Sequence, residues 1–408
     1  MIDLRQKMKT LILEKLIQIE SELSRYKGSR LSLYGGTTGI AMFYANLYEL
    51  TGDSSYLEKC ESLIVFTIEK LSKVEISHRF SDGISGIAWG IDYLINKEFI
   101  EDDGEDIFEL LDDYIYDSAR LDLKVGNYDF LHGGMGAVLY ALQRLKSNKS
   151  MSFLKDFINE ISRIKEEDRF GFKWEDPFFL KEKYSYSKTY NLGMAHGIPS
   201  ILEVLRRIYS KHLFEEETSR LVHGGLSWIE HCKLNTPESP SIYPNCVLDK
   251  IGQSDGPSRM AWCYGDLSLA ILFWKCGETY KKENWKHEGM NLMTNSVKRS
   301  DPLQNKYYDA GICHGTAGIA HLFKRFHNAT QRNEFNQRSI FWINETLNQS
   351  RHKSGLAGYR LYSRTEKNDV VYHRWKNSHF FLEGIAGIGM VLISHLNNKT
   401  DWDNCLLI

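Results

Sequence analysis

Cys313-His314-Gly315-Thr316-Ala317-Gly318-Ile319-Ala320 contains the pattern from which the fold of this chain follows. A glycine is followed three positions later by a second small residue, and then by small or apolar residues. The pattern occurs seven times in 408 residues, with its first glycine at Gly36, Gly83, Gly133, Gly197, Gly265, Gly315 and Gly384. Internal repetition at intervals of about 50 to 70 residues indicates one large domain built from repeats.

Each glycine turn lies between two kinds of predicted helix. The segments before the turns are amphipathic: Leu11 to Leu23, Tyr56 to Leu71, Ile107 to Tyr116, Phe153 to Ile164, Thr218 to Cys232, Trp285 to Val297 and Phe335 to Leu347. The segments after them are less charged and rich in small and aromatic residues, as in Ile40 to Leu50. Polar and apolar helices in alternation predict an all-α fold, an α/α toroid with seven outer and seven inner helices. An open solenoid is the alternative, but neither end of the sequence resembles a polar cap.

Three intervals between turns are longer than the basic repeat and are not helical in pattern. They cover about residues 165–190, 235–258 and 352–380. Long loops in a compact domain usually have a function. We therefore predict a single domain over residues 1–408, with small non-helical insertions at the mouth of the ring, one of which could bind a peptide.

Composition excludes several classes of protein. A net charge of −2 without long Lys/Arg runs argues against nucleic-acid binding. No apolar run reaches the length of about 18 residues that a transmembrane helix needs. Seven scattered cysteines are not the dense, even set of a disulfide scaffold, so we expect free thiols in a reducing cytoplasm.

Three metal-binding side chains occupy equivalent places in neighbouring repeats. Cys263 and Cys313 each lie two residues before the turn glycine, and His314 lies one residue before it. If the repeats superpose, all three project from the same end of adjacent repeats. Two thiolates and one imidazole suit Zn²⁺, and three protein ligands leave the fourth position open, as in catalytic sites. The sequence predicts one zinc ion per chain.

Titratable residues in the same register are candidates for acid/base chemistry. His196 lies one residue before its turn glycine, and Asp129 lies four residues before its own. Two such groups converging on a metal site are natural general acids and bases. Arg259, four residues before Cys263, would direct a fixed positive charge to the same place. His132 also precedes a turn glycine, and it is a weaker candidate because no other sequence feature marks it.

Taken together, these motifs resemble the lanthionine synthetase C family, the lantibiotic cyclases. The resemblance covers essentially the whole chain, and its length matches the bacterial single-function cyclases. It rests on the seven turns together with Ala195-His196-Gly197, Arg259 to Trp262-Cys263-Tyr264-Gly265 and Cys313 to Gly318. The departures are Ser200 and Ser268, which replace the second glycine in two repeats.

The resemblance implies a zinc-dependent cyclase of lantibiotic biosynthesis. Such an enzyme adds cysteine thiolates of a dehydrated precursor peptide to dehydroalanine or dehydrobutyrine, forming (methyl)lanthionine thioether rings. By motif, the zinc ligands are Cys263, Cys313 and His314, and the active-site residues are His196, Asp129 and Arg259. The resemblance also implies a dehydratase and an exporter as partners in a membrane-associated complex. It allows peripheral association of a cytoplasmic protein with the inner face of the cell membrane.

Elementary chemistry supports the same roles. A free thiol has a pKa near 8.5 and is a weak nucleophile at neutral pH unless a metal deprotonates it. Addition to the double bond leaves an enolate that needs stabilisation and then a proton. We expect His196 to donate that proton, Asp129 to position or assist it, and Arg259 to hold Asp129 or the enolate. The sequence leaves open which residue acts on the thiol and which on the enolate.

Three other readings share part of this pattern. A thiol-binding scaffold resembling the eukaryotic relatives that bind glutathione would have the same zinc ligands. A protein prenyltransferase-type α/α barrel would take an Asp among its ligands and need a helical partner. An α/α-toroid glycosidase would need two facing carboxylates, whereas only Asp129 lies in the ring register.

Overall fold

The computed structural model describes residues 2–101, 109–176, 178, 187–236, 238–250, 252–367 and 370–408. The first two residues of the helix predicted from Ile107 to Tyr116 lie outside the described residues. Parts of the three long intervals do so as well, namely residues 177, 179–186, 237, 251, 368 and 369.

Helices dominate the described part of the chain. They are α1 (Ile2–Leu23), α2 (Thr37–Thr51), α3 (Ser54–Leu71), α4 (Ile84–Asn96), α5 (Glu109–Lys124), α6 (Gly136–Gln143), α7 (Asn148–Ile164), α8 (Ile198–Tyr209), α9 (Glu215–Glu230), α10 (Asp266–Thr279), α11 (Glu283–Val297), α12 (Pro302–Asn305), α13 (Thr316–Thr330), α14 (Asn333–Asn348) and α15 (Ile385–Asn397), with a 3₁₀ helix at Asp401–Leu406. A helix begins at or within three residues of each predicted turn glycine. These helices are α2, α4, α6, α8, α10, α13 and α15.

The two predicted kinds of helix are present. The helices after the turns are buried along most of their length, as in α2 from Thr37 to Leu47 and α15 from Ile385 to Ser394. The helices before the turns bury a single face, as in α7, where Phe153, Leu154, Phe157, Ile158 and Ile161 are buried. Apolar residues three and four apart produce such a face because a helix turns once every 3.6 residues.

Short strands occur only in the three predicted non-helical intervals, as far as the chain is described. They are β1 (Glu166–Asp168), β2 (Gly171–Lys173), β3 (Thr189–Asn191), β4 (Cys246–Leu248), β5 (Leu361–Lys367) and β6 (Val370–Lys376). Each forms an antiparallel pair: β1 with β2, β3 with β4, and β5 with β6. Thr189 pairs with Leu248, so the first two intervals are joined by backbone pairing.

The chain divides into two compact units. Unit 1 comprises Met1–Glu75, Tyr93–Glu101 and Tyr307–Trp402, and unit 2 comprises Ile76–Asp92, Asp102–Lys306 and Asp403–Ile408. In unit 2, α8 packs against α6 and α10, the buried helices of the neighbouring repeats. In unit 1, α15 packs against α13 and also against α2. Contact between the last repeat and the first is expected of a closed ring and not of an open solenoid.

The turn glycines are required by a close backbone approach. At Gly36, an added Cβ would lie 2.6 Å from the carbonyl oxygen of Arg30, and at Gly265 it would lie 2.0 Å from that of Arg259. The same carbonyl, six residues before the glycine, approaches every other turn glycine: Ser77, Asn127, Asn191, Asp309 and Ser378. In the first turn it accepts the N–H of Thr37 at 2.9 Å. The carbonyl thus satisfies a backbone donor at the start of the helix, and only glycine leaves room for it.

Membrane-spanning helices are not among the described elements. None of these helices combines the length and the apolar character that crossing a bilayer requires. The longest, α1, has 22 residues and carries several charged side chains.

Gly36→Ala should destabilise the protein by about 2 to 3 kcal/mol, as measured by urea unfolding. The new methyl group would lie 2.4 Å from the backbone nitrogen of Ser32, so the turn before α2 would have to shift. The matched control is Gly35→Ala, whose Cβ would meet nothing nearer than the Ser32 Oγ at 3.4 Å. Equal stabilities of the two variants would contradict the steric account of the turn.

Candidate active site

Cys263 lies in a fixed loop of unit 2, just before α10. Its side chain is buried, and its carbonyl oxygen accepts the N–H of Ala195 at 3.4 Å. The indole nitrogen of the buried Trp262 donates to the carbonyl of Leu406 at 2.8 Å. The loop is therefore held on one side by the loop before α8 and on the other by the C-terminal 3₁₀ helix.

Cys313 and His314 lie in the corresponding loop of unit 1, before α13. The N–H of Cys313 donates to the carbonyl of Leu382 at 3.1 Å, which joins this loop to the one before α15. The His314 Nε2 is 3.7 Å from the Asp309 Oδ2, and its Nδ1 is 4.0 Å from the Glu383 Oε1. The imidazole therefore lies between two carboxylates.

Asp309 is a site residue that the sequence analysis missed. It is buried, its Oδ1 accepts the N–H of Gly311 at 2.9 Å, and its Oδ2 accepts the N–H of Tyr362 in β5 at 3.0 Å. A carboxylate fixed beside a histidine commonly orients the ring of a metal ligand. The sequence does contain a signal for Asp309, because it lies six residues before its turn glycine, the position that Arg259 has in its own repeat.

The donor chemistry of these loops fits zinc. Neither cysteine forms a disulfide. Thiolate sulfur and imidazole nitrogen are the ligands that Zn²⁺ prefers, and the carboxylate of Asp309 supplies a partner for the ring of His314. The zinc ligands predicted from the sequence, Cys263, Cys313 and His314, stay a prediction, and each of them has a donor type that suits the ion.

His196 and Asp129 form a close pair in unit 2, as their shared register predicts. The His196 Nδ1 is 2.7 Å from the Asp129 Oδ2, and each residue is only 8% exposed. The other oxygen of Asp129 accepts the N–H groups of Leu131 and His132, each at 2.8 Å. Because this carboxylate is fixed in place, it orients the imidazole and directs the Nε2 away from the pair.

A polar network connects the loop before α8, which carries His196, to the Cys263 loop. The Asn191 Nδ2 donates to the Asp176 Oδ2 at 2.8 Å and to the Tyr264 Oη at 3.1 Å. The ring of Tyr264 is 6.4 Å from that of His196. Burial raises the pKa of Tyr264 well above its usual value, so its phenol stays neutral. Tyr264, which follows Cys263 directly, is thus held beside His196.

His132 lies against His196, although only its place before a turn glycine marks it in the sequence. The two rings are stacked, with centroids 5.7 Å apart and planes 25° apart. The His132 Nδ1 is 3.0 Å from the Ser81 Oγ. Ser81 comes from the preceding glycine turn, so the contact depends on the packing of neighbouring repeats and has no local sequence signal.

Arg259 is half-buried in the loop that carries Cys263. Among the described residues, Asp129 is hydrogen-bonded by His196 and by two backbone N–H groups, and not by the guanidinium of Arg259. Of the two expected roles for Arg259, the structure therefore gives no support to that of holding Asp129.

Comparisons with known proteins agree on one family. The model of a family described as "Lanthionine synthetase C-like protein" matches residues 29–407. The nisin biosynthesis protein NisC of Lactococcus lactis subsp. lactis is 23% identical over 428 aligned residues, which cover 97% of this chain and 94% of that protein.

Solved structures show the same fold. A structure titled nisin cyclase superposes with a TM-score of 0.73 and 19% identity, covering 99% of this chain and 97% of that one. A GH76 α-mannanase of Bacteroides thetaiotaomicron has a TM-score of 0.50 and 11% identity, covering 96% of this chain and 97% of that one. At these identities the likeness is one of fold alone. With the nisin cyclase match, the predicted all-α class, the α/α toroid, is confirmed.

In metal-stripped native protein, Cys313 should be the first thiol to react with a disulfide-exchange reagent such as DTNB. It is half-buried, whereas the other six cysteines are buried. Thiol reactivity follows access as well as thiolate character. The fast phase should disappear in Cys313→Ala and persist in the control Cys60→Ala. A fast phase that survived in Cys313→Ala would show that the loop before α13 is not the accessible one.

Proposed function

The chain belongs to the lanthionine synthetase C-like family, whose model matches residues 29–407, and on that premise we propose that it is a zinc-dependent lanthipeptide cyclase. It would close (methyl)lanthionine rings by adding cysteine thiols of a dehydrated precursor peptide to dehydroalanine or dehydrobutyrine. One observation carries the proposal. The loop with the metal-ligand candidate Cys263 is hydrogen-bonded to the loop with the acid/base candidate His196.

The proposed zinc ligands are Cys263, Cys313 and His314. Their shared register before two turn glycines, the absence of a disulfide at either cysteine and the carboxylate beside His314 support this assignment. When bound, Zn²⁺ would supply the positive charge that lowers the pKa of a coordinated thiol.

Ring closure requires a proton at the α-carbon, and His196 is the proposed donor. The thiolate sulfur forms a bond to the β-carbon, and the π electrons of the double bond move toward the neighbouring carbonyl as an enolate. The α-carbon then takes a proton from the His196 Nε2, while Asp129, 2.7 Å from the Nδ1, compensates the charge of the imidazolium. In the peptide, the S–H bond and the π bond of the alkene are thereby replaced by a C–S bond and a C–H bond.

Arg259 is assigned to the enolate. Its side chain belongs to the Cys263 loop, and Asp129 already has His196 and two backbone N–H groups as partners. A fixed positive charge near the developing oxyanion lowers the barrier, because it needs no reorganisation during the reaction.

The substrate and partners are proposed by class. The substrate is a dehydrated precursor peptide with free cysteines, and a strand-bearing interval, about residues 165–190, 235–258 or 352–380, would contact it. A dehydratase must act first, since the reaction consumes its product. Association with that dehydratase and with an exporter at the inner face of the membrane belongs to the same proposal, and so does a cytoplasmic location.

The purified protein should hold about one zinc ion per chain, and Cys263→Ala, Cys313→Ala and His314→Ala should each lose it. Removing one of three ligands leaves too few donors to retain the ion through dialysis. The measurement is elemental analysis of each folded variant. Cys276→Ala, which removes a buried thiol from α10, is the control and should keep full zinc. Full zinc occupancy in Cys313→Ala would remove that residue from the proposed ligand set.

His196→Ala should keep its zinc but close rings roughly 10² to 10⁴-fold more slowly, because it lacks the general acid. The assay follows a dehydrated precursor peptide by alkylating its remaining thiols before mass spectrometry, since cyclisation leaves the mass unchanged. Reactions without enzyme correct for spontaneous addition.

A variant that consumed thiols at the wild-type rate and gave the same diastereomer would reduce His196 to a structural role. Wild-type protein that bound zinc and glutathione but closed no rings would favour the thiol-binding alternative over the cyclase.

A further inference from the structure

Two stacked imidazoles occupy the acid/base part of the site, and the mechanism above uses one of them. His196 is 8% exposed, whereas His132 is exposed to solvent. The His132 ring is stacked on that of His196. A thiol approaching this site from solvent therefore meets His132 before it meets His196.

Hydrogen bonds place the protons of the two rings differently. The Ser81 Oγ lies 3.0 Å from both the Asp82 Oδ1 and the His132 Nδ1. A carboxylate can only accept, so both contacts become hydrogen bonds when Ser81 donates to Asp82 and accepts from His132. His132 then carries its proton on Nδ1, and its Nε2 has a free electron pair. His196 also carries a proton on Nδ1, but it donates that proton to the carboxylate of Asp129. This carboxylate can compensate a full positive charge on the ring.

The surroundings of His132 favour its neutral form. Although His132 is exposed at its surface, the partial burial of its ring is the largest cause that lowers its pKa, and the charges of His196 and Arg79 lower it further. Asp129 and Asp82 act in the opposite direction and are outweighed. An imidazole held in its neutral form can accept a proton, whereas a neighbouring imidazole that is hydrogen-bonded to a carboxylate can carry one for donation.

We propose that His132 is a second catalytic histidine, the base that takes the proton of the substrate thiol. The inference rests on the proposed cyclase function and divides its acid/base work between two residues. The S–H bond breaks, its electron pair stays on sulfur, and the proton bonds to the His132 Nε2. His196 separately gives its Nε2 proton to the α-carbon. Each ring returns to its starting state by exchanging one proton with solvent, so the reaction needs no further reactant.

The first test is chemical rescue of His132→Phe. Phenylalanine keeps an aromatic ring over His196 but has no nitrogen, so it separates the base from the packing. At neutral pH this variant should close rings on a dehydrated precursor peptide about 10²-fold more slowly in kcat. Added imidazole should restore the rate in proportion to its concentration. His287→Phe, which changes an exposed histidine of α11, should match wild type with and without imidazole.

The second test needs no turnover. Nitrogen-15 NMR of histidine-labelled protein, with His132→Phe to assign the signal, should show a neutral His132 ring at pH 7 with its proton on Nδ1. Ser81→Ala should allow the other tautomer, because it removes the oxygen that holds the Nδ1–H.

The outcomes separate the two proposals. Loss of rate without imidazole rescue, or an unchanged rate, would overturn the role of His132 while leaving the cyclase function intact. Wild-type protein that closed no rings would overturn the function, and the NMR experiment would still decide the state of His132. A His132 ring that is protonated at pH 7, or that carries its proton on Nε2, would exclude it as the base.

Discussion

The contact between a turn glycine and the carbonyl oxygen six residues before it underlies the rest of the structure. In every repeat that carbonyl lies where a Cβ would otherwise be. The loop is thereby closed onto the start of a buried helix, and the residues between the two points are fixed in place. The metal-ligand candidates and the acid/base candidates all lie in these short loops. Without this contact, the positions of Cys263, His196 and Asp129 in their loops would no longer be fixed.

Because the loops are equivalent, the same position serves packing in one repeat and chemistry in another. Six residues before the glycine, Asn191 bonds to Asp176 and Tyr264, Asp309 faces His314, and Arg259 brings a positive charge. The backbone role of the position is constant, since its carbonyl always approaches the glycine. The side chain is therefore free to vary without cost to the turn. Such a scaffold can gather groups that are distant in sequence without needing a dedicated element for each.

Sequence alone predicted the helices, their alternation and the pairing of His196 with Asp129, because glycine spacing and helical periodicity are local signals. It did not find Asp309 as the partner of His314, because that role depends on where a loop presents a buried carboxylate. It did not favour His132 either, since the oxygen that orients its ring belongs to another repeat. The pairing of β3 with β4 could not be predicted either, since each strand has only three residues and the two strands come from different intervals. What escaped prediction was the orientation of side chains within and between loops, and the pairing of short strands that lie far apart in the sequence.

The packing of α15 against α2 determines when the protein can finish folding during synthesis. Unit 1 contains both the first residues of the chain and most of the last ones. A ribosome adds roughly 5 to 20 residues per second, so the first helices emerge tens of seconds before the helix that covers them. During that interval α2, which is apolar and largely buried in the finished protein, lacks the cover that α15 provides. The first and last repeats of a closed ring must meet. An apolar helix of the first repeat therefore stays without its final partner for most of the time of synthesis.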